Sequence, residues 1–175
     1  MPRRTIVSTA LVGLASATVA GLATSTAGAD PGAHDRRDSR GTAAEVRQAI
    51  APYRDVAVAL AAGYRAGERC AQSPAGGMGF HYVNPALIDG VVDPTRPEIL
   101  LFGPGRDGDL TLLGAEFFVP AALATDRPTL AGEPLEGPMP GHEPGMPEHY
   151  DLHVWVYRSN PDGVFSTWNR AVSCP

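Results

Sequence analysis

The stretch HYDLHVWVY, residues 149–157, decides the fold. Tyr150, Leu152, Val154 and Val156 alternate with His149, Asp151, His153, Trp155 and Tyr157, and a period of two belongs to a half-buried strand. On a helix, His149 and His153 would form a zinc-binding HxxxH pair. On a strand they share a face but stand about 13 Å apart. One ion with nitrogen donors at about 2 Å cannot take both unless the chain bends between them. The aliphatic positions mark the face that seeks a core, and the histidines lie on the opposite one. Partners for them must come from neighbouring strands.

Outward from this stretch, residues 79–83, 99–102 and 110–119 read as further strands, with Asn84-Pro85 ending the first. The glycine-rich run 103–108 (GPGRDG) is a hairpin turn between the second and third. Asn160-Pro161-Asp162-Gly163 predicts a second hairpin, joining 150–157 to 164–168. The chain holds Gly 20 and Pro 17 in 175 residues, well above the average of roughly 12% for the two together. That composition argues against a helical bundle and for short strands with many turns. Before the strands, Thr42 and Glu45 form a capping box, and Val46, Ile50, Tyr53, Ala57, Leu60 and Tyr64 form one apolar stripe at helical spacing. A helix over 42–65 follows, with Arg47, Arg54 and Asp55 off the stripe. The expected architecture is α+β: one N-terminal helix packed on a small antiparallel β-sheet or partial barrel. Residues 120–148, rich in proline, form a connection long enough to be functional in a compact domain.

Residues 1–29 read as a signal peptide. Arg3 and Arg4 supply the positive region, residues 6–23 an uncharged run of apolar and small side chains, and Ala27-Gly28-Ala29 the small-x-small cleavage pattern. The run is poor in Leu, which disfavours a retained membrane anchor, so no stable membrane insertion is expected after cleavage. The Arg pair leaves both the general secretory and the twin-arginine routes open. Residues 30–41, polar and without aliphatic side chains, read as a disordered lead-in, leaving 42–175 as a single α+β domain. In an exported chain the two cysteines, Cys70 and Cys174, are expected to form a disulfide. All 14 basic residues are Arg. The lack of Lys excludes Schiff-base chemistry and the Walker A loop, and a net charge of −5 excludes a nucleic-acid surface.

One constellation carries chemistry. His81, His142, His149 and His153 lie on or beside predicted strands or at the end of the long connection. Glu116 is the only charge in residues 110–119, and two readings stand. It is a gatekeeper charge on an edge strand, or a carboxylate aimed into a partly apolar cavity, where it needs a metal or a proton. The leading expectation is a transition-metal site with His81, His153 and Glu116 as inner ligands and His149 or His142 brought in by the long connection. An open position on the ion would activate water or oxygen, with Glu116 as general base should it not ligate. Met78, Met139 and Met146 each precede a histidine by three positions, and thioether with imidazole favours copper over zinc. Two rivals are a non-catalytic module for a small-molecule, carbohydrate or cell-envelope ligand using Trp155 and Tyr157, and a structural domain whose His and Glu form a hydrogen-bonded network.

The segments GMGFHYVNPAL (77–87), PEILL (97–101), EHYDLHVW (148–155) and NPDGVF (160–165), with Cys174, resemble a family of secreted, uncharacterised bacterial proteins. The all-arginine, alanine-rich composition is similar to that of actinobacterial chains. The resemblance covers most of the chain beyond the signal segment and implies export but no particular reaction. A cupin is the nearest familiar metal-binding β fold. Its His-x-His and following Glu motif is absent, so no cupin residues carry over.

Overall fold

The computed structural model describes residues 31–67, 69–105 and 108–175. The expected signal segment, 1–29, lies outside them, as does the middle of the 103–108 turn. The helical part consists of α1 (Pro31–Ala49), a 3-10 turn (Ala51–Arg54) and α2 (Val56–Ala61). The strands are β1 (Arg65–Ala66), β2 (Ala71–Ser73), β3 (Gly76–Val83), β4 (Ile99–Pro104), β5 (Leu110–Pro120), β6 (Thr129–Leu130), β7 (Glu133–Pro134), β8 (Glu136–Met139) and β9 (His149–Val154). One main antiparallel sheet and a few helices make this an α+β fold.

The helix expected over 42–65 is not continuous. Pro52 cannot donate to the ladder of an ongoing α-helix, and the chain tightens into the 3-10 turn there. It restarts at Asp55, whose carboxylate accepts from the Ala57 N–H. The break shifts the helical phase. Val46, Ile50 and Tyr64 are buried as the stripe predicts, but Ala59 takes the place of Ala57 and Leu60, and Leu60 is exposed. At the other end α1 begins at Pro31, ahead of Thr42, and takes in most of the stretch 30–41. Proline suits a first helical position because its missing N–H would be unpaired there anyway.

Among the described residues the main sheet has seven strands, in the order β1-β3-β4-β5-β9-β8, with β2 also on β3. The β4–β5 hairpin forms as expected. The second expected hairpin, 150–157 with 164–168, does not. β9 ends at Val154 and is held between β5 and β8, and one bond, Trp155 N–H to the Val164 carbonyl at 2.9 Å, is what joins the two segments in the expected manner. The side chain of Asn160 accepts from the Asp162 N–H and donates to the Trp168 carbonyl. Such local bonds offer the backbone an alternative to a strand ladder. The long connection is not structureless either, since it contains a 3-10 turn (Ala121–Leu123), the β6–β7 pair and β8.

The two sheet faces bury different cores. On one, Tyr82, Leu100, Phe102, Phe117, Val119, Leu152 and Val154 share a cluster with Val46, Ile50, Ala59 and Tyr64. On the other, Ile99, Leu101, Leu113, Phe118, Trp155 and Val172 form a smaller one. The alternation in residues 149–157 thus separates the faces as read, but only as far as Trp155. Past the end of β9, Tyr157 turns to the first cluster, where its hydroxyl donates to the Arg47 carbonyl and Arg47 and Arg54 lie over its ring.

The disulfide Cys70–Cys174 is present. It joins the segment between β1 and β2 to the C-terminal turn. Among the described residues no helix is long and apolar enough to cross a membrane.

Candidate metal centre

The second sheet face carries the site. Glu116 sits on β5, inside the sheet between β4 and β9, directly opposite His153 on β9 and Ile99 on β4. That position removes the edge-gatekeeper reading, and the residue is 4% exposed. His81 lies on β3, across from Leu101 of β4. Its strand stands about 10 Å from β5, two inter-strand spacings away. The two side chains lean toward each other over the β4 floor of Ile99 and Leu101, and His81 Nε2 lies 3.1 Å from Glu116 Oε2. His153 Nε2 lies 3.6 Å from the same oxygen, and the two imidazole rings meet edge to face with centroids 5.9 Å apart. One ligand atom from each of His81, Glu116 and His153 lies within 4.8 Å of the other two, and all three residues are buried. Three different strands supply them, as the 13 Å separation along one strand requires.

The bonding within the group is incomplete. Both ring nitrogens of His153 are buried without a hydrogen-bond partner, and Glu116 Oε2 has none either, although the two imidazoles approach it closely. His81 Nε2 stands within hydrogen-bond distance of that oxygen, and His153 Nε2 stands beyond it. A buried polar atom left unsatisfied costs about 1 to 3 kcal/mol, so the group calls for something at its centre. Two imidazoles and a carboxylate are a donor set that an ion with about 2 Å bonds satisfies. Burial alone would raise the Glu116 carboxyl, but the His153 and His81 imidazoles, with His149 behind them, hold it well below the usual carboxylate range. The two imidazoles thus favour the ionised form of this carboxylate.

A cavity of about 190 Å³ opens beside the group. Met78, Val83, Ile88, Phe118 and Met146 give it apolar walls, and His142 and Asp151 also face it. His142, on the long connection, thus stands in the cavity wall and outside the convergent group. His149 packs one step further along β9, fully buried, stacked on Phe118 at 4.6 Å and 5.5 Å from the His142 ring. It stands outside the convergent group. Its Nδ1 donates to the Pro147 carbonyl at 3.0 Å, which turns Nε2 toward Asp151 Oδ2 at 3.7 Å. Burial lowers its proton affinity, but Asp151, the Pro147 carbonyl and Glu116 together outweigh that and raise it.

Asp151 was not among the residues that the sequence singled out. It is 4% exposed and its Oδ1 has no hydrogen-bond partner. The signal was present: an acid midway between two histidines on the polar face of a strand shares their surroundings. Glu98 was also missed. It is buried just ahead of β4 and accepts from the Phe118 N–H at 3.1 Å. Trp155, by contrast, is buried with its indole N–H on the Ser166 carbonyl, on the opposite core from Tyr157, so the two do not form one aromatic platform.

Comparison with protein-family models, curated proteins and solved structures finds no match for this chain.

Proposed function

We propose that the chain is an exported domain that holds one transition-metal ion on His81, Glu116 and His153, with an open coordination position facing the adjacent cavity. The observation that carries the reading is the convergence of three buried donors from three strands, with atoms of His153 and Glu116 left unsatisfied. A purely structural hydrogen-bonded network would not leave those atoms bare. Two histidines and one glutamate are also the protein set of some catalytic zinc sites, which keep a fourth position for water or substrate.

Met78 and Met146 in the cavity wall add soft donors within the same space and favour copper over zinc. His142 stands in the wall as a further imidazole, and His149 supports the site from behind Asp151. The pattern of residues 1–29 and the Cys70–Cys174 disulfide support export to an oxidising compartment. An ion with an open position would lower the pKa of bound water, which makes turnover of a small molecule the activity to look for.

The test is elemental analysis of the disulfide-bonded protein after exposure to copper and zinc and removal of the excess. One ion per chain is expected, with copper retained against competing zinc, and none in His153→Ala. Wild-type protein without retained metal, or a His153→Ala variant that keeps it, would overturn the reading.

A further inference from the structure

We infer that the cavity beside the ion takes one small, ring-shaped, largely apolar molecule with two adjacent oxygen functions, one directed at the ion and the other donating a hydrogen bond to Asp151. The inference deepens the metal reading above and rests on it.

Size comes first. At about 190 Å³ the cavity is a little larger than the roughly 150 Å³ apolar cavity that accommodates benzene. It is smaller than the roughly 300 Å³ at which sites for drug-sized ligands begin. One six-membered ring with one or two substituents fits; a peptide or an oligosaccharide does not. The walls set the chemistry. Met78, Val83, Ile88, Phe118 and Met146 offer no side-chain hydrogen bonds, so a sugar ring with a hydroxyl on every carbon would leave several unpaired. Phe118 and the two thioethers favour an aromatic ring instead.

The polar lining is the His81, Glu116 and His153 group with Asp151 and His142. There the ion site supplies a position for one ligand oxygen. Asp151 supplies an acceptor, since it lines the cavity and its buried Oδ1 has no hydrogen-bond partner. Asp151 stands two residues from His153 on the same face of β9, about 7 Å along the strand. That places the two polar anchors side by side and selects neighbouring oxygens on the ligand. His149, fixed by the Pro147 carbonyl and stacked on Phe118, backs the Asp151 carboxylate and keeps it oriented.

The probe is catechol, titrated calorimetrically under argon into the disulfide-bonded protein loaded with zinc, an ion that does not oxidise it. Zinc is measured before and after. A chain that holds only copper is titrated in its copper(I) form. One catechol per metal-loaded chain is expected, phenol binding about tenfold more weakly for want of one hydrogen bond, and neither glucose nor 2-naphthol binding. Asp151→Leu should bind catechol and phenol equally. Met146→Ala, a change in the cavity wall, should admit 2-naphthol.

Retained metal with no catechol heat overturns the ligand inference alone. So does glucose or 2-naphthol binding to wild type as tightly as catechol, or zinc extracted by the probe. If Asp151→Leu does not fold, the gain of 2-naphthol binding in Met146→Ala decides, and its absence counts against the cavity. A wild-type chain that holds neither copper nor zinc overturns the metal reading itself, and this inference with it.

Discussion

Glu98 and Glu116 are two buried carboxylates near one another with opposite electrostatic fates. Glu116 faces imidazoles and is held ionised. Among the described residues no cation acts on Glu98, and burial raises its carboxyl from 4.5 to about 7, with Asp89 and Glu116 adding to the rise and the Phe118 N–H only partly offsetting it. The consequence for stability has a definite sign. A folded-state pKa above the unfolded one means that the native protein binds the extra proton, so stability falls as pH rises from about 4.5 to about 7 and is flat beyond. The size of the loss is on the order of 3 kcal/mol. Glu98→Gln keeps an acceptor for the Phe118 N–H and has no proton to lose. Denaturant melts of both proteins across pH 4–8 should show the variant's curve flatter in that window and higher above pH 7. Parallel curves would mean that Glu98 is as wet in the folded chain as in the unfolded one.

At the scale of elements, the site depends on the register between β5 and β9. Glu116 faces His153 only while Ala115 pairs with Val154, and a slip of β9 by one residue would send His149, Asp151 and His153 to the other face while His81 stayed behind. Gly114 guards that register. A Cβ there would collide with the Val154 carbonyl oxygen, so no larger residue fits without parting the strands. Gly114→Ala should cost about 1 to 3 kcal/mol, in the range of overpacking substitutions, and weaken metal retention although no ligand is touched. A variant with native stability and full metal content would show that β9 tolerates displacement.

Strands were legible where alternation was strong, as in residues 149–154, or where an apolar run followed a glycine-rich turn, as in residues 110–119, and the opposed faces of β9 could be read directly. What the sequence concealed was decided by single residues and by distant partners. Pro52 broke the helix without interrupting the apolar stripe. The side chain of Asn160 captured backbone groups that a hairpin would have used. β8, poor in strand signals, exists because β9 offers it an edge. Glu116 stood undecided because its own segment could not tell whether β5 was central or peripheral. Asp151 was passed over because its importance comes from a cavity that only the assembled sheet encloses.

For the molecule as a whole, the division of labour between the two faces has a mechanical meaning. The larger core, shared with the helical segments, lies on the far side of the sheet from the donors. The site face is closed by a smaller cluster and by the chain after β9, which returns through the Gly77–Asn169 bridge and Val172 to Cys174. The disulfide fixes that return, and the Cys174 N–H adds a bond to the Gln72 side chain at 2.8 Å. With 104 residues separating its cysteines, the cross-link restricts the unfolded chain enough to contribute about 4 to 5 kcal/mol. The cysteines lie outside the strands β3, β4, β5 and β9 that tie His81, Glu116 and His153 together. Stability and metal retention should therefore separate in the Cys70→Ser/Cys174→Ser variant. Its denaturant midpoint should fall far below that of wild type, while elemental analysis at low temperature should still find one ion per chain. Loss of the ion under conditions where circular dichroism shows the sheet intact would mean instead that the C-terminal return is part of what holds the donors in place.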